Sequence, residues 1–159
     1  MEKKKMSEAQ ALSRLGALCA RAEYCLQDMR RKMDAWELPP GADERIIQRL
    51  VKDGYVNENR YAHAFVRSKF RFNRWGRDKI VRMLQQKGIN QEDIDDALTE
   101  LNEEELDDTL LELLTAKSRH LNYKNDYDRY VKLLRFAVSR GFSLDSARRC
   151  LEKMDFADE

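Results

Sequence analysis

The feature that most constrains the fold of this 159-residue chain is an internal repeat of apolar residues and glycine. The pattern recurs at a constant offset of 53 residues without a gap, and its apolar positions are spaced like those of helices that bury one face. A unit of this length is too small for a substantial core, so neighbouring units must pack against each other. The recurring series is Ile80, Leu84, Gly88, Ile89, Ile94 and Leu98, matched by Leu133, Ala137, Gly141, Phe142, Ala147 and Leu151.

An earlier cycle fits the same pattern when Trp36 takes the place of Ile89 and residues 37–41 form a five-residue insertion. Only two prolines and six glycines interrupt a chain that is otherwise rich in good helix formers. We therefore predict an all-α protein of three tandem three-helix repeats, forming an elongated molecule that can curve. The predicted segments are an N-terminal tail at 1–8, repeats at 9–54, 55–101 and 102–154, and a frayed C-terminal tail at 155–159.

Capping residues and glycines predict where the helices begin and end. Ser7 and Gln10 have the spacing of a capping box, and Lys87-Gly88 has the composition of a helix C-terminus. Two adjacent prolines, Pro39 and Pro40, must stop a helix that precedes them. The predicted helices are at 7–20, 22–36, one ending at 53–54, one from Asn57 that is interrupted at 74–76, one ending at Gly88, a short one capped by Asn90, and three at 103–120, 126–140 and 144–154.

The net charge of +1 hides a strong segregation of charge along the chain. Residues 55–90 contain nine Lys/Arg against two Asp/Glu, a balance of +7. Residues 91–114 contain eleven Asp/Glu and no Lys/Arg, a balance of −11. Blocks of this size predict separate electrostatic surfaces. The acidic run at 102–108 is best interpreted as a helix start that opposes the macrodipole, although contact with a basic partner or with the chain's own basic face is an alternative.

The basic block is the candidate binding surface. It is either a footprint for an anionic partner, such as an acidic protein groove or nucleic-acid phosphates, or an ordinary solvated helix face. Aromatic residues interleave with the charges; we assign Phe65 and Phe70 to the core, and Phe72 and Trp75 remain open. The candidate contact residues are Arg67, Lys69, Arg71, Arg74, Arg77, Lys79 and Arg82.

Catalytic chemistry is not indicated. Cys19, Cys25 and Cys150 have no C-x-x-C spacing and His63 and His120 lie far apart, so we expect no metal and no disulfide framework. The sequence has no phosphate-binding glycine loop, and we expect no cofactor and no catalytic residue. No apolar run has the length of a membrane span, and no signal peptide is evident, which predicts a cytoplasmic protein without a membrane partner.

Several ordered motifs resemble the RecX family of bacterial recombination regulators. The resemblance covers about residues 9–154 in layout and is specific at 50–98. It implies tandem three-helix repeats and a non-enzymatic protein that binds the RecA recombinase filament and inhibits its ATPase and strand-exchange activities. The matching motifs are Leu50-Val51-x-x-Gly54-Tyr55-Val56-Asn57-x-x-Arg60-Tyr61-Ala62, Gly76-Arg77-x-x-Ile80, Leu84-x-x-Lys87-Gly88-Ile89, Ile94-x-x-Ala97-Leu98 and Lys132-Leu133-x-Arg135-Phe136-x-x-x-Arg140-Gly141-Phe142.

The leading hypothesis is therefore a monomeric regulator that lays a partly basic surface on a RecA–DNA filament and touches DNA through the filament or directly. The main alternative is an autonomous, helix-turn-helix-like DNA-binding protein, although a net charge near zero argues against tight binding to naked DNA. A plain helical scaffold is a third interpretation. The arginines expected to contact the filament are Arg67, Arg71, Arg74, Arg77 and Arg82, with Arg135 and Arg140 as weaker candidates in the third repeat.

Overall fold

The computed structural model describes residues 2–156, which form nine α-helices and one pair of two-residue strands. The predicted all-α class is confirmed, because the strands involve only four residues. The elements are β1 (Lys4–Lys5), α1 (Glu8–Cys19), α2 (Leu26–Met33), β2 (Trp36–Glu37), α3 (Ala42–Lys52), α4 (Glu58–Arg71), α5 (Arg77–Gln86), α6 (Gln91–Ala97), α7 (Glu103–His120), α8 (Asp126–Ser139) and α9 (Leu144–Leu151), with a 3-10 turn at Leu98–Glu100 and a π turn at Glu152–Phe156.

The helix boundaries follow the capping signals in the sequence. The Ser7 hydroxyl accepts the Gln10 backbone N–H at 3.1 Å and the Gln10 side chain accepts the Ser7 N–H at 3.0 Å, which is the predicted capping box of α1. The Asn102 side-chain oxygen caps α7 by accepting the Glu104 and Glu105 N–H groups, and α7 spans 103–120 as predicted. The last helix ends at Leu151 and continues as a π turn to Phe156, so most of the predicted C-terminal tail, from residue 157, lies outside the described residues.

The predicted second helix at 22–36 is too long at both ends. Its N-cap is Cys25, whose backbone N–H donates to the Asp28 carboxylate at 3.2 Å, so residues 22–24 precede the helix. At the other end Trp36 pairs in parallel with Lys4, and the Met6 N–H donates to the Glu37 carbonyl at 3.1 Å. Pro39 disfavours the helical region at Leu38, the residue directly before it, so a helix cannot continue through this segment. The segment predicted as an N-terminal tail therefore contains a strand and a buried side chain, Met6.

The chain divides into two compact units. The first comprises Met1–Ala64 and Leu84–Ala97, and the second comprises Phe65–Met83 and Leu98–Glu159, so α4 and α5 each contribute residues to both. In the first unit, one face of each of α1, α2 and α3 is buried around Leu15, Met29 and Leu50. In the second unit the core consists of Leu106, Leu110, Leu114, Leu133, Ala137, Phe142, Ala147, Cys150 and Leu151.

The 53-residue correspondence is visible in local geometry. Gly88 and Gly141 both have positive φ, +76° and +94°, and each ends a helix with the paired hydrogen bonds of a Schellman motif. An apolar residue then enters the core, and a polar N-cap begins the next helix. The bonds are Ile89 N–H to Leu84 O (3.1 Å) and Gly88 N–H to Gln85 O (3.0 Å), with Phe142 N–H to Ala137 O (3.1 Å) and Gly141 N–H to Val138 O (2.9 Å) as their counterparts.

Within the first unit, side chains satisfy the free backbone N–H groups at the start of α2. The Asp28 carboxylate accepts the Cys25 N–H, and the Glu58 carboxylate accepts the Leu26 N–H at 3.3 Å. Burial raises the pKa of Asp28, but hydrogen bonds from Lys87 and Cys25 outweigh burial, so the net shift is downward. Burial also has the largest influence on the pKa of Glu58. There it outweighs the hydrogen bond from the Leu26 N–H, so the pKa of Glu58 is raised.

The C-terminal end of α5 contributes to the same place in the first unit. The Gln27 side-chain amide donates to the Gln86 carbonyl at 3.0 Å, and the Lys87 ammonium lies 2.7 Å from Asp28 Oδ1. A helix N-terminus and a helix C-terminus are thereby joined entirely through side chains. We call this contact the side-chain junction, formed by Cys25, Leu26, Gln27, Asp28, Glu58, Gln86 and Lys87.

Candidate partner-binding surface

The basic candidates lie on the C-terminal half of α4, the N-terminal half of α5 and the connection between them, all within the second unit. The connection begins where Arg74 adopts a left-handed conformation, with φ +55°. This is the only non-glycine residue with positive φ in the described part of the chain. Its N–H donates to the Phe70 carbonyl at 3.1 Å, and the Trp75 N–H donates to the Lys69 carbonyl at 3.1 Å, which closes the end of α4. The predicted interruption at 74–76 is confirmed.

Trp75 is the centre of a cluster of aromatic and cationic side chains. The ammonium groups of Lys69 and Lys79 lie 5.0 and 4.5 Å from the centre of its ring, within the range of cation–π attraction. The Phe65 ring meets Trp75 edge to face at a centroid distance of 6.4 Å. Trp75 is half-buried, whereas Phe72 is 82% exposed. The sequence did not decide whether Phe72 and Trp75 belong to the core. Trp75 is partly covered by its neighbours, whereas Phe72 is presented to solvent.

Three of the candidate arginines are paired within the chain. Arg67 Nη1 lies 2.9 Å from Glu100, Arg74 Nη1 lies 3.3 Å from Glu112, and Arg77 is paired with Glu103. All six side chains belong to the second unit. The acidic segment is thus a helix start, as interpreted from the sequence, with Glu103 in the first turn of α7. It also contacts the chain's own basic face, which was the alternative.

Other candidates have no such partner. Among residues 2–156, Arg71, Arg82 and Arg135 form no ion pair and no side-chain hydrogen bond, and all three are exposed. The ammonium groups of Lys69 and Lys79 lie over aromatic rings and form no ion pair with a carboxylate of residues 2–156. A guanidinium or ammonium group without a carboxylate neighbour keeps its field available to an incoming anion. We call these residues the open cations: Lys69, Arg71, Lys79, Arg82 and Arg135.

Arg140 is engaged inside the second unit. Its guanidinium Nη2 donates to the Asn73 carbonyl at 2.7 Å, which fixes the connection between α4 and α5. Its own carbonyl accepts the Gly76 N–H at 2.8 Å, and the Gly141 carbonyl accepts the Asp78 N–H at 2.9 Å. The two carbonyls that directly follow α8 therefore accept N–H groups at the start of α5, and the opposed helix ends attract each other.

Two glycines make this backbone contact possible. A Cβ atom on Gly76 would lie 2.4 Å from the Gly141 carbonyl carbon, and one on Gly141 would lie 2.4 Å from Lys79 Cβ. The sequence led us to interpret the glycines as helix punctuation: Gly88 and Gly141 end helices at positive φ, and Gly76 lies directly before the start of α5, although its φ is not positive. Its function is close approach, and no local signal identifies a partner 65 residues away. We call this contact the glycine junction, formed by Gly76, Asp78, Arg140 and Gly141.

The sequence also raised His63 and the cysteines as candidate chemical groups. His63 lies 2.9 Å from Asp96, and that hydrogen bond is the main cause of the lowered pKa of Asp96. Burial raises the pKa of the Cys25 and Cys150 thiols. Within residues 2–156, no three His, Cys, Asp or Glu side chains converge on a point that could hold a metal ion. No helix in the same range is long and apolar enough to cross a bilayer.

Comparison with known proteins identifies the family. The chain is 32% identical over 141 residues to the regulatory protein RecX of Pseudomonas fluorescens strain SBW25, covering 89% of both chains. The chain belongs to the RecX family. Residues 57–98 match the family's second three-helix domain and residues 103–151 match its third, so the open cations, apart from Arg135, lie in the second RecX domain.

Solved RecX structures share the fold. One RecX crystal structure superposes with a TM-score of 0.83 at 25% identity, covering 91% of this chain and 71% of that one. RecX from Lactobacillus salivarius gives a TM-score of 0.81 at 17% identity and covers 93% of this chain and 96% of that one, a likeness of fold alone. The protein therefore has the all-α repeat fold of RecX and, from its relatives, a RecX-type regulatory role.

Proposed function

We propose that this chain binds the RecA recombinase on its nucleoprotein filament and lowers the ATPase, strand-exchange and coprotease activities of RecA, thereby modulating recombination and DNA repair. It acts as a cytoplasmic monomer of three repeats, at 9–54, 55–101 and 102–154. Membership of a family of regulatory proteins supports the proposal. The observation that carries it is the concentration of open cations next to an exposed aromatic side chain, Phe72, within the second RecX domain.

The open cations are the first candidates for contact with the filament. Arg71 and Arg82 have no intramolecular partner among residues 2–156, so binding an anionic group costs them no existing ion pair. Arg67, Arg74 and Arg77 must first exchange a carboxylate, and Arg140 must release a backbone carbonyl. Phe72 offers exposed aromatic surface next to Arg71 in the sequence, and both residue types are enriched at protein interfaces.

A titration of RecA ATPase tests the function. RecA on single-stranded DNA is assayed for ATP hydrolysis while the protein is added up to saturation. The proposal predicts a saturable fall in the rate, and strand exchange should fall in parallel. ATP hydrolysis that is undiminished at saturating protein contradicts the proposal. The same protein incubated with an unrelated ATPase is the control for nonspecific inhibition.

Direct DNA binding is the competing function, since three-helix units can present a helix to the major groove. It predicts tight binding to naked duplex that weakens steeply as salt rises. The pairing of Arg67, Arg74 and Arg77 with carboxylates disfavours it, because these side chains are already neutralised locally. Filament binding without comparable binding to naked DNA separates the two functions.

A further inference from the structure

The three arginine–carboxylate pairs join the basic block of the sequence to the acidic block. Arg67, Arg74 and Arg77 come from the segment with a balance of +7, and their partners come from the segment with a balance of −11. Each pair is long-range in sequence, between 26 and 38 residues apart, so none follows from helix periodicity. The carboxylates are Glu100, Glu112 and Glu103, and we call them the acidic cover.

Stability does not account for this arrangement. Arg74 and Glu112 are 47% and 65% exposed, Arg77 and Glu103 are 41% and 63% exposed, and Glu100, at 28%, is the least exposed of the carboxylates. Ion pairs of this kind contribute about 0–1 kcal/mol. Their electrostatic consequence for a binding partner is larger, because a phosphate that approaches the arginine must displace a carboxylate and is repelled by it at distances below the Debye length.

We propose that the acidic cover makes the arginine face selective against free polyanions. Nucleic acid alone meets three arginines that are already neutralised, together with the negative charge of α7, and binds weakly. A protein surface that presents cations to the carboxylates as well as anions to the arginines replaces both halves of each pair. The acidic cover therefore favours binding of a partner of mixed charge over binding of a free polyanion. The inference does not depend on the identity of that partner.

Fluorescence anisotropy with a labelled single-stranded oligonucleotide, without recombinase, tests the inference. The variant Glu103→Gln/Glu112→Gln frees Arg77 and Arg74. Two freed arginines should tighten binding at low salt, and because each phosphate contact changes affinity about threefold between 50 and 200 mM salt, the gain over wild type should be roughly sevenfold larger at 50 than at 200 mM salt. The slope of log affinity against log salt should steepen by up to about 1.4.

A matched control removes the same charge elsewhere on the same helix. Glu104 and Asp108 are exposed and form no ion pair among residues 2–156, and Glu104→Gln/Asp108→Asn also raises the net charge by two. One substitution in each double variant lies in the first turn of α7. The inference predicts less than about a twofold change for this control, since no arginine is released. Thermal unfolding of both variants checks that they are folded.

A second variant isolates the arginines. Adding Arg74→Ala and Arg77→Ala to Glu103→Gln/Glu112→Gln should abolish the gain in affinity and restore the wild-type salt slope. Equal gains in the cover variant and the control would assign the effect to net charge and overturn the inference. Unchanged affinity in the cover variant would also overturn it, as would a gain that persists without the two arginines. None of these outcomes bears on inhibition of RecA.

Discussion

The glycine junction and the side-chain junction solve the same problem by different means. Each joins the N-terminus of one helix to the C-terminus of another, where backbone groups lack partners within the helix. In the second unit the bonds run from backbone to backbone, with the Gly76 N–H 2.8 Å from the Arg140 carbonyl. In the first unit they run through side chains, with Lys87 2.7 Å from Asp28 and Gln27 bonded to Gln86.

The difference determines what each junction tolerates. The backbone contact leaves no room for a Cβ atom and depends on no titratable group for its bonds. The side-chain contact depends on the ion pair between Asp28 and Lys87, and it is therefore sensitive to pH through the lowered pKa of Asp28. Steric substitutions should consequently damage the glycine junction most, whereas charge-neutralising substitutions should damage the side-chain junction most.

Gly141→Ala should give the largest loss of stability. The added Cβ atom meets Lys79 Cβ at 2.4 Å, and the residue is held at φ +94°. Overpacking costs about 1–3 kcal/mol and a left-handed alanine about 1 kcal/mol more, so the free energy of unfolding should fall by about 3 kcal/mol. Urea unfolding monitored by circular dichroism measures it.

Gly88→Ala is the matched control for that substitution. Gly88 also ends a helix in a Schellman motif at φ +76°, but an added Cβ atom there has no heavy atom within 4 Å. Only the cost of the left-handed backbone conformation remains, which should lower the free energy of unfolding by about 1 kcal/mol. The difference between the two variants measures the close approach at the glycine junction. Equal losses would show that the junction imposes no steric demand.

Asp28→Asn should give the second-largest loss, about 2 kcal/mol at neutral pH, because it removes a charged partner of Lys87 and weakens the cap of α2. The pKa of Asp28 is lowered in the folded state. Its contribution is therefore present above the unfolded pKa of about 3.9 and is lost as pH falls through the folded value. The gap between variant and wild type should narrow below about pH 4 in urea titrations.

Glu58→Gln tests a carboxylate of the same junction whose contribution to stability has the opposite pH dependence. Burial raises the pKa of Glu58, so its protonated form favours folding at low pH and that contribution is lost as pH rises through the folded pKa. A glutamine can still accept the Leu26 N–H, so this variant should be no less stable than wild type at pH 7. A loss as large as that of Asp28→Asn would contradict the assigned roles.

Arg140→Met should lower the free energy of unfolding by about 1 kcal/mol, since it removes one partly exposed hydrogen bond to the Asn73 carbonyl. Arg135→Met is its control on the same helix. Arg135 is exposed and unpaired among residues 2–156, so its substitution should change the free energy of unfolding by less than about 0.5 kcal/mol. If the two substitutions have equal effects, Arg140 does not hold the connection between α4 and α5.

Much of the fold was predictable because its signals are local. The Ser7–Gln10 capping box, the Asn102 cap and the helix-ending Gly88 each act within a few residues of themselves. Trp36 was placed in a helix because helical propensity alone could not reveal its pairing with Lys4, 32 residues away. The same limit explains why the close approach of Gly76 to Gly141 was not predicted.

The composition of the candidate surface could be predicted from the sequence, but which of its arginines are paired could not. Charge counts located the basic block. They could not show that Arg67, Arg74 and Arg77 are paired with carboxylates, whereas Arg71 and Arg82 have no such partner in the part of the chain that the structure describes. That division depends on how α4 and α5 meet the acidic segment in three dimensions. Arg140 resembled the other candidates in sequence, and only its contact with Asn73 distinguishes it.

The most direct test compares the unpaired with the paired arginines in the RecA ATPase titration. Arg71→Ala/Arg82→Ala and Arg74→Ala/Arg77→Ala each remove two positive charges from the same basic block. If the open cations contact the filament, the first variant should need at least about tenfold more protein for half-maximal inhibition, and the second less than about twofold more. A larger loss in the second variant, or no loss in either, would contradict the proposal that the open cations contact the filament.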